Sequence, residues 1–543
     1  MSDPSMVTRE LLEKIREKPF INFSPLPDYD YDHLDYGMTQ GIERTSGGRL
    51  WSCWVGGGDS PEAYDVVACS DDDGETWSEP YFVVDPHRED LPFERCTRAG
   101  MFWNDPLGRL WFFFQQTFEM FDGCASNWFI RCDRPDDPRP VWTEPAYVGV
   151  GASINKPIVL SNGEWMLPVS LWERWHISEP FRHCFHELDP IRGASVFVSR
   201  DQGITWGWRG CVIFPDSEFN EHMVVERKDG VLWMMSRTKY GIGESFSTDL
   251  GRTWSRPRKS AIGHLTTTDI RTGGDIASLN RSQSSRFHIR RTASGRLLLV
   301  KHGTEIDKGP GARSHLCAYL SDNDGASWSR GFLLDERSPV SYPDVAQAPD
   351  GRLYIQYDRE RKALGEILFA RITEEDILAG RLVGKKSALK KLVSRPRGRT
   401  RKQQPRQTGG VEDTSGPARV EATGGAMHEC SRIRVGASAK PVVPRRISTS
   451  IKCNYSGTIC SMPPVLPSYD LHNILHEEVC QGEQPRGRGQ APAARAAGLA
   501  NGAVRRQRGH VRRPVPVRHG GGTAHGAAVG NTMNFHTEPA RVV

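Results

Sequence analysis

The sequence has none of the features of a secreted or membrane-inserted chain. Residues Met1 to Phe20 contain no apolar segment of the signal-peptide kind, and eighteen consecutive apolar residues occur nowhere. The twelve cysteines show no CxxC spacing, which favours buried free thiols over a disulfide framework. We therefore expect a cytoplasmic protein without a membrane span.

Motifs for cofactors are also missing. The sequence contains no nucleotide-binding glycine loop and no cluster of residues with metal-ligand spacing. We expect neither an organic cofactor nor a metal site.

Aromatic and acidic residues become scarce towards the C-terminus. All fifteen tryptophans lie between Trp51 and Trp328, and Phe535 is the one phenylalanine from Lys385 onward. Residues 385–543 contain 27 basic residues (Lys and Arg) and nine acidic residues (Asp and Glu). The first 384 residues contain 44 basic and 57 acidic residues. Basic sequence rich in Gly, Ala and Pro buries too little apolar surface to fold alone. We predict a disordered tail over residues 385–543, for which a solvated role is favoured over contact with nucleic acid or an anionic surface.

The chain before the tail divides into two parts. Residues 1–34 are predicted to form a short amphipathic helix from Thr8 to Lys18 and then an extended arm. Thr8 suits the helix N-cap and Pro19 ends the helix. Residues 35–384 are predicted to form one large β domain.

A repeat within residues 35–384 predicts the fold. A glycine, one further residue and then two apolar residues recur six times at the start of a β-prone segment, at Gly48, Gly108, Gly163, Gly230, Gly295 and Gly351. Repeats of this length, 55 to 67 residues, are typical of a propeller with one four-stranded blade per repeat. We therefore predict an all-β fold, a six-bladed β-propeller.

A second motif, S-x-[DN]-x-G-x-[ST]-W, occurs four times, in the segments 70–77, 199–206, 247–254 and 321–328. Side chains of Asp, Asn, Ser and Thr at this spacing bond local backbone donors, the glycine adopts positive φ, and the tryptophan packs beside the loop. We interpret the acidic residues as structural rather than metal-binding, and we expect these loops at the outer rim.

Tandem boxes of this kind on a six-bladed propeller resemble the Asp-box (BNR) repeats of the sialidase superfamily. The resemblance covers residues 35–383 and leaves out the tail.

Polar residues converge on one mouth of the predicted propeller. If the six glycine turns are equivalent, positions nine before and seven after each glycine meet at the end away from the turns. Taken singly, such residues are also compatible with a cross-strand ion pair or a hydrogen-bonded core tyrosine. Three successive pairs favour a functional site, and Arg313 lies on a neighbouring strand. The pairs are Glu221 with Arg237, Arg286 with His302, and Tyr342 with Asp358.

The resemblance implies catalytic roles for three residues. Sialidases use a tyrosine nucleophile activated by a glutamate, because an anionic sugar would repel a carboxylate nucleophile. Tyr342 matches that tyrosine and Glu221 matches its partner base. Asp59, eleven residues before Ser70, matches the acid/base on a loop over the site.

The resemblance also implies an arginine triad for the substrate carboxylate, with one departure. Arg237 and Arg313 match its second and third members, and Asp358 matches the acid that orients the first. The family's first arginine lies in a Phe/Tyr-Arg-Ile-Pro motif, whereas this chain has Tyr-Gly-Met-Thr at 36–39. Asp358 is therefore expected to lack its usual partner, and Arg286 or Arg98 is a candidate substitute.

These features predict a sialidase-like exo-glycosidase that hydrolyses a terminal acidic sugar with retention, with carbohydrate as its partner. Tyr342, Glu221 and Asp59 are the candidate catalytic residues. Candidate substrate-binding residues are Arg237, Arg313, Asp358, Arg286 and His302. Two alternatives remain: a polysaccharide lyase or other glycosidase with His302 or Tyr342 as base, and a non-catalytic carbohydrate-binding propeller.

Overall fold

The computed structural model describes residues 6–264, 267–268, 275–276, 283–303 and 313–398. Their strands form six antiparallel sheets of four or five strands and one two-stranded ribbon. In each larger sheet the four main strands are ordered as they follow one another along the chain. These sheets are the blades of a six-bladed β-propeller, which confirms the predicted fold. The predicted tail lies outside the described residues from position 399 onward.

Each blade is built from four strands, and the second carries the additional short strand Arg95–Cys96. The strands of blade one are Met38–Arg44, Leu50–Gly56, Tyr64–Ser70 and Phe82–Val84. Those of blade two are Gly100–Asn104, Leu110–Phe118, Ser126–Cys132 and Ala146–Val150. Those of blade three are Ile158–Val159, Trp165–Leu171, Gly193–Ser199 and Gly207–Val212.

The remaining three blades follow the same plan. Blade four has the strands Met223–Glu226, Leu232–Thr238, Gly241–Ser247 and Arg258–Lys259. Blade five has His288–Arg291, Leu297–His302, Leu316–Ser321 and Phe332–Asp335. Blade six has Val340–Gln347, Leu353–Arg359, Glu366–Ile372 and Ala388–Ser394.

Little of the described chain lies in other elements. A two-stranded ribbon is formed by Thr267–Thr268 and Asp275–Ile276. The α-helices are Arg9–Lys14 and Glu374–Ala379. The 3-10 helices are Arg174–His176, Glu179–Phe181, His186–Ile191 and Ala261–His264. None of the helices in this part of the chain has the length and apolar character needed to cross a bilayer.

The glycine repeat marks the same turn in every blade, between the first and second strands. Each of the six glycines has φ between 79° and 110°, a conformation that side chains disfavour. Its N–H donates to the carbonyl three residues earlier, as Gly351 does to Ala348 at 2.9 Å. The repeat therefore sets the position of the innermost hairpin in each blade.

The predicted pairing holds near the turns and shifts at the far end of two blades. Asp344 pairs with Gln356, as the prediction requires, but Ser341 rather than Tyr342 lies opposite Asp358. One extra residue is inserted between these pairs, which is a β-bulge. Blade one has an equivalent irregularity between Thr39 and Gly41.

Apolar clusters fill the boundaries between neighbouring blades. The cluster that closes the ring joins Ile42 and Trp54 of blade one to Ala346, Tyr354 and Phe369 of blade six, all fully buried. Similar clusters lie between the other successive blades. Burial of this kind favours folding by about 25 cal/mol per Å² of apolar surface, so the ring is held together by its blade interfaces.

The four box motifs are turns between the third and fourth strands of blades one, three, four and five. In the first box, Gly74 N–H donates to Ser70 Oγ at 2.9 Å, and Thr76 N–H donates to Asp72 Oδ1 at 2.9 Å. The other three repeat both bonds. The box glycine contacts the preceding blade, since a Cβ on Gly74 would lie 2.4 Å from Phe369 Cζ. The motif is therefore structural and lies away from the mouth.

The two ends of the propeller region differ in extent from the predicted segments. The N-terminal helix Arg9–Lys14 is shorter than the predicted one, although Thr8 caps it by accepting from Leu11 N–H at 3.2 Å. At the other end, Ala388–Ser394 is the fourth strand of blade six. This strand lies beyond the predicted boundary at residue 384, because Val393 is buried with the ring-closing cluster.

Seven cysteines of the described strands and loops are free thiols, five of them buried and two partly exposed: Cys53, Cys96, Cys124, Cys132 and Cys317, and Cys69 and Cys211. The expectation of buried thiols rather than a disulfide framework is confirmed for these residues. The four cysteines from Cys430 onward fall in the tail, outside the described ranges.

Candidate functional site

Tyr342 lies at the mouth away from the glycine turns, on the innermost strand of blade six. It belongs to the bulge between Ser341 and Asp344, and its φ is +56°. A left-handed conformation is costly for a tyrosine, and such outliers gather at functional sites. The bulge turns the Tyr342 side chain out of the regular alternation and towards blade four.

Glu221 meets the Tyr342 hydroxyl from the start of blade four. Tyr342 Oη donates to Glu221 Oε1 at 2.5 Å, and the Glu221 side chain is 4% exposed. The turn before Glu221 contains Phe219 and Asn220, both with positive φ, and Asn220 Oδ1 accepts from Ser217 Oγ at 2.6 Å. A locally bonded turn thus fixes the carboxylate against the phenol.

Arg237 completes this contact from the second strand of blade four. Its Nη1 donates to Glu221 Oε1 at 3.0 Å and to Tyr342 Oη at 3.2 Å, and its guanidinium lies 5.5 Å from the centre of the Phe219 ring. Burial by itself lowers the pKa of Arg237, but the negative charges of Glu221 and ionised Tyr342 more than offset it and raise the pKa. Arg237 is therefore a fixed cation beside the phenol.

Arg313 approaches the opposite side of Tyr342, with its guanidinium carbon 5.6 Å from the ring centre. Burial lowers the pKa of Arg313, and the neighbouring guanidiniums of Arg237 and Arg361 lower it further. Among the described residues, no carboxylate lies within ion-pair distance of Arg313; its Nη2 donates to Ser284 O at 3.2 Å. Arg313 is a partly buried cation without a counter-ion among the described residues.

Arg361 is a site residue that the sequence interpretation missed. Its guanidinium carbon lies 4.0 Å from the centre of the Tyr342 ring, and its Nε donates to Asp358 Oδ1 at 3.0 Å. Asp358 therefore has an arginine partner, although not the blade-one arginine whose absence the sequence shows. The signal in the sequence is the spacing Asp358-x-x-Arg361 within a turn, and Arg361 lies outside the fixed offsets from the glycines.

Asp59 lies across the mouth on the loop after the second strand of blade one, and its side chain is 45% exposed. Arg98 Nη1 donates to Asp59 Oδ1 at 3.2 Å, and the Arg98 guanidinium packs 4.6 Å from the centre of the Phe121 ring. The carboxylate is thus accessible, but it is engaged by an arginine in this structure.

A cavity of about 110 Å³ lies at the mouth, lined by some of these residues but not by Arg237, Arg313 or Arg361. One side carries Tyr342 and Glu221, and another carries Asp59 and Arg98. Aromatic rings form the wall from blades two to four, with Phe121 stacked on Phe219 at 5.7 Å and edge-on to Trp172 at 4.7 Å. Polar groups on one side and flat apolar rings on the other suit a sugar ring.

Arg286 and His302 have other contacts. Arg286 is fully buried, and it donates to Asn155 Oδ1 at 2.9 Å and to Gln40 O at 2.8 Å. His302 is buried with its Nδ1 3.1 Å from Ser314 O, and burial lowers its pKa to about 3. The structure brings Tyr342, Glu221 and Arg237 into direct contact, but it shows no contact of Arg286 or His302 with them.

Within the described ranges, no group of three or more His, Cys, Asp or Glu side chains converges to hold a metal ion. The charged groups around Tyr342 are instead paired with one another, as Arg237 is with Glu221 and Arg361 is with Asp358. The chemistry available at the mouth is that of a phenol, carboxylates and guanidiniums.

Solved structures of several proteins resemble the chain, while no curated protein is significantly similar in sequence. A protein of unknown function from Dyadobacter fermentans is 16% identical, with 62% of this chain and 94% of that chain covered and a TM-score of 0.42. The intramolecular trans-sialidase from Ruminococcus gnavus is 12% identical, with 64% and 97% covered and a TM-score of 0.46. The Trypanosoma rangeli sialidase is 18% identical, with 63% and 55% covered and a TM-score of 0.44.

The family model described as a BNR repeat-like domain matches residues 48–355. That range runs from the first glycine turn into the second strand of blade six, and it includes all four box motifs. The predicted resemblance to the BNR-repeat propellers of the sialidase superfamily is thereby confirmed. The chain belongs to the BNR repeat-like domain family.

Proposed function

We propose that this protein is a sialidase-like exo-glycosidase that removes a terminal acidic sugar with retention, using Tyr342 as nucleophile. The observation that carries the proposal is the 2.5 Å hydrogen bond from Tyr342 Oη to the buried carboxylate of Glu221. A nucleophile within hydrogen-bond reach of its base is the arrangement that covalent catalysis requires.

The phenol needs this base at neutral pH. Burial raises the pKa of Tyr342, the charge of Glu221 raises it further, and the guanidiniums of Arg237, Arg361 and Arg313 oppose both effects. The neutral phenol is therefore the resting form. Transfer of its proton to Glu221 as attack begins supplies the phenolate only when it is used.

Two displacements at the anomeric carbon give retention. In the first, Tyr342 Oη bonds to that carbon, Glu221 takes the phenolic proton, and Asp59 protonates the leaving glycosidic oxygen. In the second, Asp59 takes a proton from water, and the water oxygen bonds to the anomeric carbon as the bond from that carbon to Tyr342 Oη breaks. Glu221 returns its proton to the departing phenolate oxygen. Both carboxylates end in their starting states.

The cations favour an acidic substrate. Arg313 is partly buried and has no counter-ion among the described residues, and Arg237 is held beside the nucleophile. A sugar carboxylate satisfies such guanidiniums with paired hydrogen bonds. It also explains the use of a phenol, because a carboxylate nucleophile would repel the same anion.

The test is hydrolysis by wild type and Tyr342→Phe, with aryl sialosides, aryl uronides and neutral aryl glycosides as substrates. We expect wild-type turnover of an acidic member and a loss of about 10³-fold or more in the Phe variant. Quenched wild-type reactions should show the glycosyl mass on the peptide that contains Tyr342. The matched control is Tyr357→Phe, which removes a buried hydroxyl bonded to Asp335 at 3.0 Å, away from the mouth.

Full activity in Tyr342→Phe contradicts the proposed nucleophile. An unsaturated product absorbing in the near ultraviolet identifies a lyase instead of a hydrolase. Proton NMR of the first-formed product distinguishes retention from inversion at the anomeric carbon.

A non-catalytic carbohydrate-binding propeller is the second candidate. The observation in its favour is the 3.2 Å contact between Arg98 and Asp59, which engages the candidate acid with a cation. In that case, acidic sugars bind to wild type and to Tyr342→Phe alike, and none of the aryl glycosides is cleaved.

A further inference from the structure

A second cavity lies at the opposite end of the propeller, beside the glycine turns. The first strands of all six blades contribute to its wall, from Glu43 in blade one to Gln347 in blade six. It therefore lies on the central axis, and we call it the turn-end cavity. Its volume of about 480 Å³ is large enough for a small organic molecule.

Buried charges separate the turn-end cavity from the mouth that carries Tyr342. Arg286 is fully buried and donates to Asn155 Oδ1 at 2.9 Å, and its Nη2 lies 3.8 Å from Asp344 Oδ1. Lys156 Nζ lies 3.2 Å from the other oxygen of Asp344. The cavities at the two ends share no lining residue. A ligand in the turn-end cavity would thus be separate from the Tyr342 site.

Cationic side chains outnumber acidic ones on the wall of the turn-end cavity. The cations are Arg44, Lys156, Arg290 and Arg291, and the acids are Glu43 and Glu226. Lys156 Nζ lies 2.9 Å from Glu43 Oε2. Arg291 Nη2 lies 2.8 Å from Asp324 Oδ1, outside the cavity. Lys156 and Arg291 therefore have carboxylate partners of their own.

Arg44 and Arg290 are the two cations left over. Among the described residues, neither has a carboxylate within ion-pair distance, and the hydrogen bonds they make go to backbone carbonyls. Arg44 Nη1 donates to Thr45 O at 3.4 Å, and Arg290 Nη1 donates to Val345 O at 3.0 Å. Arg44 Nε is buried with no partner in the described ranges. Two unpaired guanidiniums on one wall favour an anionic ligand.

The same wall carries buried acceptors without donors. His288 is 1% exposed, and burial lowers its pKa to about 4, so that the ring is neutral. Its Nδ1 faces Asp344 Oδ1 at 3.0 Å, while its Nε2 has no hydrogen-bond partner in the described part of the chain. Asn104 Oδ1 is likewise buried and unpartnered there. Because buried polar atoms are usually hydrogen-bonded, these two acceptors indicate a ligand with hydroxyl groups.

We infer that the turn-end cavity binds a small anionic polyol, such as a sugar phosphate or a sugar acid. Arg44 and Arg290 donate to its anionic group, and its hydroxyls donate to His288 Nε2 and Asn104 Oδ1. The Trp103 ring, which also lines the cavity, offers a flat apolar surface for the carbon skeleton. The inference does not depend on the proposed function, because it uses none of the residues around Tyr342.

The experiment measures equilibrium binding to the full chain by calorimetry. The probes are D-glucose 6-phosphate and D-glucuronate, with D-glucose as the sugar without charge and inorganic phosphate as the anion without a sugar. Arg44→Met and Arg290→Met each remove one unpaired cation of the turn-end cavity. The matched control is Arg296→Met, on the same hairpin as Arg290, whose 2.6 Å ion pair with Asp322 lies outside the cavity. Arg313→Met tests the mouth.

We expect wild type to bind at least one of the two sugar anions about tenfold more tightly than D-glucose or inorganic phosphate. Arg44→Met and Arg290→Met should each weaken binding of that sugar anion by about 10- to 100-fold, as for the loss of a hydrogen bond to a charged group. Arg296→Met and Arg313→Met should bind it within about twofold of wild type.

Failure of wild type to bind either sugar anion overturns the inference, as does unchanged binding in both Arg44→Met and Arg290→Met. Loss of binding in Arg313→Met alone places the ligand at the mouth and also overturns it. Inorganic phosphate bound as tightly as the sugar anion overturns the assigned ligand class. Melting curves show whether each variant is folded, and the two cavity variants lie on different blades, so that either one alone decides the outcome.

Discussion

The box loops at the rim and the cluster around Tyr342 at the mouth use the same kinds of side chain over very different sequence distances. In each box, Ser, Asp or Asn, Gly and Thr or Ser bond one another within a few residues. At the mouth, Tyr342 bonds Glu221 from 121 residues away and Arg237 from 105 residues away. A rim loop needs only its own segment, whereas the mouth exists only when the ring of blades has closed.

The two regions also differ in what holds their charges. Desolvation raises the pKa of Asp72, but the hydrogen bonds from Thr76 and Ser70 together outweigh it and lower the pKa to about 2. At the mouth, cations and anions are buried together, so each sets the protonation of its neighbours. Substitutions at the rim should therefore change stability alone, and substitutions at the mouth should change function.

The largest expected contrast is between Glu221→Gln at the mouth and Asp201→Asn at the rim. Glu221→Gln removes the base for Tyr342 and should lower kcat/KM on a responsive aryl glycoside by about 10²- to 10⁴-fold. Asp201→Asn should leave kcat/KM within about twofold of wild type, because Asn323 already makes the equivalent bonds in the fourth box. Comparable losses of activity in Glu221→Gln and Asp201→Asn would contradict the assignment of function to the mouth and of a purely structural role to the rim.

The second-largest expected effect is the pH dependence of stability caused by Asp65, which lies in the third strand of blade one. Burial raises the pKa of Asp65 to about 7, only partly offset by a hydrogen bond from Thr97 at 2.9 Å. Between about pH 4 and pH 7, the Asp65 carboxyl therefore keeps its proton in the folded state but has lost it in the unfolded state. Stability should fall as pH rises from about 4 to 7, by up to about 4 kcal/mol in total.

Asp65→Asn removes this titration and keeps the shape. Urea unfolding should show that the free energy of unfolding of Asp65→Asn increases relative to that of wild type as pH rises from 4 to about 7. Between about pH 7 and 8 the difference between the two proteins should stay constant. A constant difference between the two proteins over this range would contradict the raised pKa.

A backbone effect at the rim comes third. Gly203 in the second box has φ of +88°, and a Cβ there would lie 2.5 Å from Trp111 of blade two. Gly203→Ala should lower the free energy of unfolding by about 2–3 kcal/mol with activity retained. Gly207→Ala is the matched control, since nothing lies within 4 Å of a Cβ at Gly207. Equal losses of unfolding free energy in Gly203→Ala and Gly207→Ala would show that the box glycine has no special packing role.

The smallest effect is the ionisation of a rim carboxylate. Since the folded-state pKa of Asp72 is lowered to about 2, its contribution is present above about pH 4 and disappears as pH falls through 2. Asp72 is largely exposed, so screening keeps this below about 1 kcal/mol. Asp72→Asn should be slightly less stable than wild type at pH 7 and equal to it near pH 2, as measured by thermal unfolding. A difference that persists at pH 2 would point to lost packing instead.

Much of the fold was predictable because its signals are local. A glycine with positive φ marks each innermost turn, and each box closes on itself through side chains a few residues apart. Equivalent turns in six repeats then placed Tyr342, Glu221 and Arg237 at one mouth. The same offsets predict Arg286 and His302 beside them. In the structure the Arg286 side chain points to Asn155 instead, and the His302 side chain points to Ser314.

The sequence by itself determined the number of blades, the turns and the residue types available at the mouth, because each of these depends on neighbours along the chain. Only the tertiary structure decided which groups meet. The bulge at Tyr342 shifts the pairing by one residue, and the contact of Gly37 with Gly365 brings the turn of Arg361 onto blade one. The contacts of Gly37 with Gly365 join residues more than three hundred positions apart. They are set by closure of the ring, which no local pattern encodes.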